Sequence, residues 1–486
     1  MAVCNPPGAS SLIGQASTSC LRRFTIHFRR PKELKQKSNY SYRGEYGFDW
    51  LRDEYIYPIE KVRVNREMSN KAAPLCQTQF IPLLKKEYLK DIDPPKKTFK
   101  PHGQDYYPAW LSIFACNVTN KEANPNAGST IHKDGVYLDL QLDEIDKIVS
   151  DDTEIIFKPS KPCLKITPNK ISIKEFLKTS IKKRELNTDT HKPAINYYLL
   201  KNAVKVICQG DTLKQHERIR VFAKLGSTEY EVGRLMMYHN NIVPKANIVV
   251  VNVITEYGKN KKIPFETHKS LNYIFKYQSF NQAMIRAEVI AGEDFDLFAL
   301  GKKYDDVKKF LEDVSDPKYL NNKVVKNRYL EIDASKDITN RLCDLYKKYG
   351  KHAPKDHTIN GTGHYNTYLL YTKLKPEKGS TLGSCAIENN NWGNLFVVFE
   401  QGLKDTHTIV HEAAHSFTLV HTFEPSPVNK KPKFHQGYTD NYMDYNWHYL
   451  SIKPRKKEGN KYNGKMYSFF RWQWDMMRND TKSIKY

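Results

Sequence analysis

The chain is poor in acidic side chains and in long apolar runs, and its cysteines fall in no pattern. Asp and Glu number 54 against 77 Lys and Arg, a formal net charge of +23 over 486 residues. That imbalance favours anionic partners such as nucleic acid, phospholipid or acidic wall polymers. The lysines are spread along the whole chain, though, and no nucleic-acid-binding signature accompanies them. The charge therefore reads as a solvated, self-repelling surface, and nucleic acid is not an expected partner. The eight cysteines include no Cys-x-x-Cys pair, which excludes a cysteine zinc site and a disulfide-rich scaffold. No stretch approaches the roughly 18 apolar residues of a membrane span, so a soluble chain with no transmembrane segment is expected. Met1–Ser19 carries no charge and no long apolar core, and Arg22-Arg23 is followed by further basic residues. Neither a standard signal peptide nor a twin-arginine signal is expected. Localisation is then either unconventional export, by secretion or delivery into a target cell, or the cytoplasm.

What is present suits a folded protein of several domains. Hydrophobic residues make up 40% and aromatics 12%, and the length exceeds one ordinary domain. Residues 1–38 read as a flexible basic segment, with order expected to begin near Tyr40. Residues 39–125 form an aromatic-rich module, dense in rings and glycines at Gly44–Arg52 and carrying a Pro/Lys linker from Asp93 to His102. From 126 to 244, short alternating runs such as Arg218–Ala223 predict half-buried antiparallel strands, and their spacing predicts a sandwich-like accessory domain. The last unit, 245–486, opens on the continuous apolar run Ile248–Ile254, the pattern of a strand buried on both faces. Helical patterns at 269–287, 304–314 and 336–349 follow, with strand patterns at Thr367–Lys373 and Asn394–Glu400. The fold class is α+β: a twisted sheet with helices, preceded by a β-rich domain.

The chemistry is concentrated in His411-Glu412-Ala413-Ala414-His415. With Asp405 as a suitable N-cap, these residues predict a helix whose 3.6-residue turn projects His411 and His415 from one face. Two imidazoles so placed can hold one Zn2+ ion, with Glu412 on the flank as general base. A third ligand decides the class. His421 follows His415 by six residues, and on a continued helix it would lie about 9 Å along the axis and far around the cylinder. It reaches the ion only if the chain turns after Phe417. Glu424 and Glu458, the only glutamates beyond Glu412, lie in no convincing helical pattern. Asp440 and Asp444 stay open as alternative ligands.

The segment 411–421 resembles the extended motif HExxHxxGxxH of the metzincin zinc peptidases, in which a glycine makes that turn. Thr418 occupies the glycine position here, and a β-branched residue at positive φ costs about 1–2 kcal/mol. Either the turn is built differently, therefore, or His421 is less well placed than the spacing suggests. Asn441-Tyr442-Met443-Asp444-Tyr445 is similar to the Met-turn beneath the metzincin metal, and with His421-Thr422-Phe423 it resembles the pappalysin-type members. The resemblance implies a metzincin-like catalytic domain with His411, His415 and His421 as zinc ligands and Glu412 as general base. It gives Met443 the place of an apolar floor and Tyr445 that of a hydrogen-bond donor to the substrate. It also implies that Ser279–Ile285 belongs to a long first helix. Gly393–Glu400 would be the edge strand lining the cleft, against which a peptide or protein substrate, cell-wall peptides included, would pair. A peptidase unit behind a β domain further resembles bacterial toxin effectors delivered by type VI secretion, which implies an immunity protein or a secretion-machine component as partner. The competing expectations are a zinc-binding module without activity and a non-toxic secreted peptidase.

Overall fold

Alternation fixes the first half of the molecule. In Glu217–Leu225, Ile219, Val221 and Ala223 are buried while Arg220 and Lys224 face solvent, the period-two pattern of a strand with one wet face. In the computed structural model this strand belongs to a six-stranded sheet, in the order Gly47–Asp49, Ala109–Ser112, Thr228–Met237, Glu217–Leu225, Glu154–Pro159, Lys170–Ser172. A second sheet runs Phe24–Arg29, Val136–Glu144, Ile195–Cys208, Lys182–Arg184, with Leu164–Thr167 also paired to Ile195–Cys208. Leu138, Leu140 and Ile26 from one sheet meet Leu111, Val221 and Leu235 from the other in a common core. Two packed β-sheets stand where short strands were expected, and Arg218–Ala223 lies within an observed strand, but the sheets also take Phe24–Arg29, Gly47–Asp49 and Ala109–Ser112 from outside residues 126–244.

One expectation for this half is corrected. Phe24–Arg29, placed by sequence in a flexible lead-in, is a sandwich strand paired antiparallel with Val136–Glu144. Phe24, Ile26 and Phe28 alternate inward at 1% exposure or less, so a short period-two apolar pattern outweighs the flanking positive charge. The structure describes residues 20–34, 41–64, 67–90, 99–119, 127–184, 195–255, 266–321, 323–327, 330–353, 366–376, 382–388, 391–424, 431–448, 458–480 and 483–486. Most of the linker expected from Asp93 to His102 lies outside them.

The second half is built on a five-stranded sheet of β1 (Lys245–Ile254), β2 (Arg286–Asp296), β3 (Asn366–Thr372), β4 (Gly383–Glu388) and β5 (Asn391–Val398), in the order β2-β1-β3-β5-β4. All neighbours are parallel except β4, which runs antiparallel to β5. Among the helices that pack on it are α1 (Glu266–Tyr277), α2 (Ala334–Tyr349) and α3 (Thr406–His415). Val249, Val251, Val253, Leu370 and Val397 share a core with Ile338, Leu342 and Tyr346 of α2. The opposite face, with Ile248, Val250, Leu369, Phe396 and Val398, packs with Phe275 of α1 and Ile409, Val410 and Ala413 of α3. Burial on both faces is why these strands read as continuous apolar runs.

That same burial corrects two further expectations. The strand at Gly393–Glu400 is not an edge: Leu395 to Val398 are all buried, and β5 lies between β3 and β4. The edge is β4. Ser279–Ile285 is not part of a long helix either, because α1 ends at Tyr277 and Phe280–Ala283 forms a single tight turn closed by Met284 at φ 60°. Its polar side chains serve carbonyls far along the chain. Asn281 Nδ2 donates to the Gly44 carbonyl at 3.0 Å and Gln282 Nε2 to the Tyr467 carbonyl at 2.8 Å.

The two halves share a core. Trp110 and Met236, which point away from the sandwich interior, join Tyr55, Leu75, Leu84 and Tyr88 in the cluster that contains the apolar face of α3 together with Phe434, Phe470 and Trp474. Backbone bonds stitch the same seam, from Gln77 N to Lys433 O at 2.8 Å and from His435 N to Leu75 O at 2.9 Å. The aromatic terminal segment packs inward, with Trp474 and Met477 buried on the helix Arg471–Arg478. Among the described residues no helix is long and apolar enough to cross a membrane.

Candidate metal centre

Helix α3 begins where the sequence predicts. Asp405 caps it, accepting from the amides of His407 and Thr408 at 3.3 Å each, which satisfies two of the first-turn donors that a helix leaves unpaired. Ile409, Val410, Ala413 and Ala414 turn into the core. His411 and His415, four apart, are carried on one face and are both buried.

The turn that brings in the third histidine is made at Thr418. Its φ is +65°, the left-handed conformation that the glycine of the resembled motif would adopt without cost. Thr418 N donates to His415 O at 3.0 Å and Leu419 N to Ala414 O at 3.2 Å, the paired bonds that end a helix on a left-handed residue, and buried Leu419 and Ala414 belong to one core. Neither expected departure occurs: Thr418 itself takes the left-handed turn, and His421 is well placed. His421 comes back beside the helix, its Nε2 3.1 Å from that of His411 and 3.3 Å from that of His415.

Each ring is held from behind. His411 Nδ1 lies 2.7 Å from the Tyr442 carbonyl and His415 Nδ1 2.7 Å from the Leu419 carbonyl. Carbonyls only accept, so both Nδ1 atoms carry the proton and both Nε2 atoms present lone pairs. His421 Nδ1 lies 2.7 Å from a Glu424 carboxylate oxygen. Burial, reinforced by the neighbouring imidazoles, holds His411 and His415 well below the ordinary histidine range, keeping them neutral as ligands must be. Three lone pairs directed at one another repel unless a cation lies among them. Two nitrogens about 2.05 Å from one zinc at a tetrahedral angle would be roughly 3.3 Å apart, which matches the spacing found. The three histidines form the one group of metal-ligating side chains found among the described residues, and they fit a metal ion.

Neither alternative aspartate joins them. Asp440 is buried in an ion pair with Arg30 at 2.6 Å and Arg52 at 2.8 Å. Asp444 accepts from the amides of Gly437, Tyr438, Thr439 and Tyr445 and from the Thr439 hydroxyl, so it shapes the loop and not the centre. That loop is the Met-turn-like segment. Met443 is buried in the same core as α3, its carbonyl accepts from Thr422 N at 3.0 Å, and the preceding carbonyl orients His411.

Glu412 lies on the flank of α3, toward the sheet edge. A side chain at Gly383 of β4 would place its Cβ 2.8 Å from Glu412 Cγ, so glycine there leaves room for the carboxylate. Burial pushes that carboxyl up to about 8, against a hydrogen bond from the Cys385 amide that lowers it. Tyr445 closes the other side, its ring centroid 4.9 Å from that of His421 and 5.8 Å from that of His411. Phe423 stacks on His421 at 4.9 Å and 12°. The structure groups His411, His415 and His421, sets the Tyr445 ring beside two of them and carries Glu412 on the flank of the same helix. The sequence did not point to the carbonyl acceptors or to the place of Glu424 behind His421, although a carboxylate three residues past a ligand was the available signal. No protein-family model matches the chain, and no curated protein does either.

Proposed function

We infer that the chain is a zinc-dependent peptide-bond hydrolase with a metzincin-like site. One observation carries the reading: three buried imidazoles direct their Nε2 atoms at a common point with tetrahedral spacing, while main-chain carbonyls behind His411 and His415 fix those two rings. Three neutral ligands leave a catalytic metal its full charge and an open position. Bound by His411, His415 and His421, zinc would supply a Lewis acid that polarises a peptide carbonyl and makes water nucleophilic at neutral pH.

The chain's own residues do the rest. Glu412 takes a proton from the attacking water and returns it to the departing amine nitrogen, as a C–O bond forms and the C–N bond breaks. The Tyr445 phenol donates a hydrogen bond to the oxygen on which charge develops. An extended substrate pairs along β4, the edge strand beside α3, and its backbone takes the place of a sixth strand. The sheet with its antiparallel edge, the helix that carries two of the histidines and the loop at Met443 support the metzincin likeness.

The test replaces one carboxylate. Glu412→Ala is expected to keep stoichiometric zinc and lose peptide hydrolysis by about 10²–10⁴-fold, the usual contribution of a positioned acid–base group. Full activity in that variant removes Glu412 from the mechanism. Zinc uptake by the unaltered chain with no cleavage of any peptide in a mixed library favours a binding module instead.

A further inference from the structure

The three imidazoles are not held alike. His411 and His415 each face a main-chain carbonyl, an acceptor that no side-chain substitution removes. His421 faces a carboxylate: Glu424 Oε2 lies 2.7 Å from its Nδ1, an ion-pair distance without hydrogen-bond alignment. We propose that Glu424 is the positioning residue of the third ligand: its carboxylate fixes the proton on Nδ1 of His421 and turns Nε2 toward His411 and His415. This rests on reading the cluster as a metal centre.

Local geometry holds Glu424 in place. Glu424 N donates to the His421 carbonyl at 3.2 Å, closing a tight turn that puts the carboxylate three residues on beside the ring it serves. Phe423 stacks on that ring, so the imidazole is gripped on one face and at its outer nitrogen. The His421 side chain is 8% exposed and that of Glu424 46%. The anion therefore stays hydrated while the ring it orients is dry, which avoids the desolvation cost of a fully buried carboxylate. Glu424 is also excluded as a ligand in its own right, because it occupies the nitrogen that points away from the other two histidines.

A carboxylate behind a ligating histidine does two things that a carbonyl does less well. It fixes the tautomer, and by its charge it makes the imidazole a stronger donor to a cation. His421 needs such help most, since it stands on an irregular segment beyond a strained turn while its partners stand on a helix.

The experiment is a chelator competition on the purified full chain, measuring the zinc dissociation constant of wild type, Glu424→Gln and Glu424→Ala. It is paired with ¹⁵N-histidine spectra of the zinc-loaded forms and melting of the metal-free forms. Glu424→Ala is expected to weaken zinc about 10- to 100-fold, with an unchanged metal-free melting temperature and loss of the slowly exchanging His421 Nδ1 proton. Glu424→Gln, which keeps an acceptor oxygen but no charge, should fall between and keep that proton. Zinc affinity in Glu424→Ala within a factor of two of wild type overturns the assignment while leaving the metal reading intact. So does a drop in metal-free melting temperature that accounts for the whole change. If the unaltered chain takes up no zinc, the metal reading and this assignment fall together.

Discussion

Two buried polar clusters meet on the loop from Gly437 to Tyr445, and they handle burial in opposite ways. At Asp440 the charge is answered from within the protein, because Arg30 and Arg52 both reach the carboxylate and Ser468 adds a hydroxyl. Two residues on, the Tyr442 carbonyl turns to His411, in a cluster where three imidazole Nε2 atoms converge. The first cluster answers its carboxylate charge from within the chain, although Arg30 Nη1 and Arg52 Nε find no hydrogen-bond partner. The second is a group of ligand nitrogens that could hold a cation. Burial alone therefore does not mark a functional group; the convergence of metal-ligating atoms is the more telling sign.

The largest test of this contrast is Arg52→Ala. Removing one partner from a buried ion pair should cost about 3–5 kcal/mol in urea melts, equally with and without zinc. A loss under about 1 kcal/mol, or one seen only in the zinc-loaded form, would erase the distinction between the clusters.

An acid titration sharpens it. Burial pushes the Asp440 carboxyl up, but Arg52 and Arg30 together overcome this and hold it well below the usual carboxylate range. A carboxyl depressed in the folded state contributes stability in full above its unfolded value near 3.9 and loses it as pH falls below that. The stability gap between wild type and Asp440→Asn should accordingly stay level from neutrality down to about pH 4 and close beneath it. A gap that widens on acidification would contradict the pairing.

The smallest effect concerns the turn. Thr418→Gly relieves a left-handed β-branched residue, worth about 1–2 kcal/mol, and adds chain entropy worth about 0.5–1 kcal/mol. The net gain should be up to about 1 kcal/mol in a thermal melt, with zinc affinity unchanged. A destabilised variant would mean that the Thr418 hydroxyl, bonded to the Phe417 carbonyl at 2.6 Å, matters more than the strain.

The sequence made the centre legible because it is local: a capped helix, two histidines four apart and a third just past the exit all lie within 17 residues of Asp405. The sandwich was legible for the related reason that alternation reports directly on a half-buried strand. The misplaced edge strand had its own warning, since the unbroken run Leu395–Val398 is an interior pattern and the more polar Gly383–Glu388 an edge one. Ser279–Ile285 misled because its buried Asn281 and Gln282 serve distant carbonyls that no periodicity announces. Arg30 and Arg52 were out of reach altogether, as they meet Asp440 across 410 and 388 residues.

That last contact bears on dissection. Because Arg30 belongs to the first sheet's end of the chain and Asp440 to the loop that orients His411, the half that carries the three histidines is not a portable module. A fragment starting at Lys245 would carry a buried anion stripped of both guanidinium partners, and an apolar surface around Phe434 and Phe470 from which Tyr55 had been lifted. Any grafting or trimming of this protein has to move the arginines with the histidines.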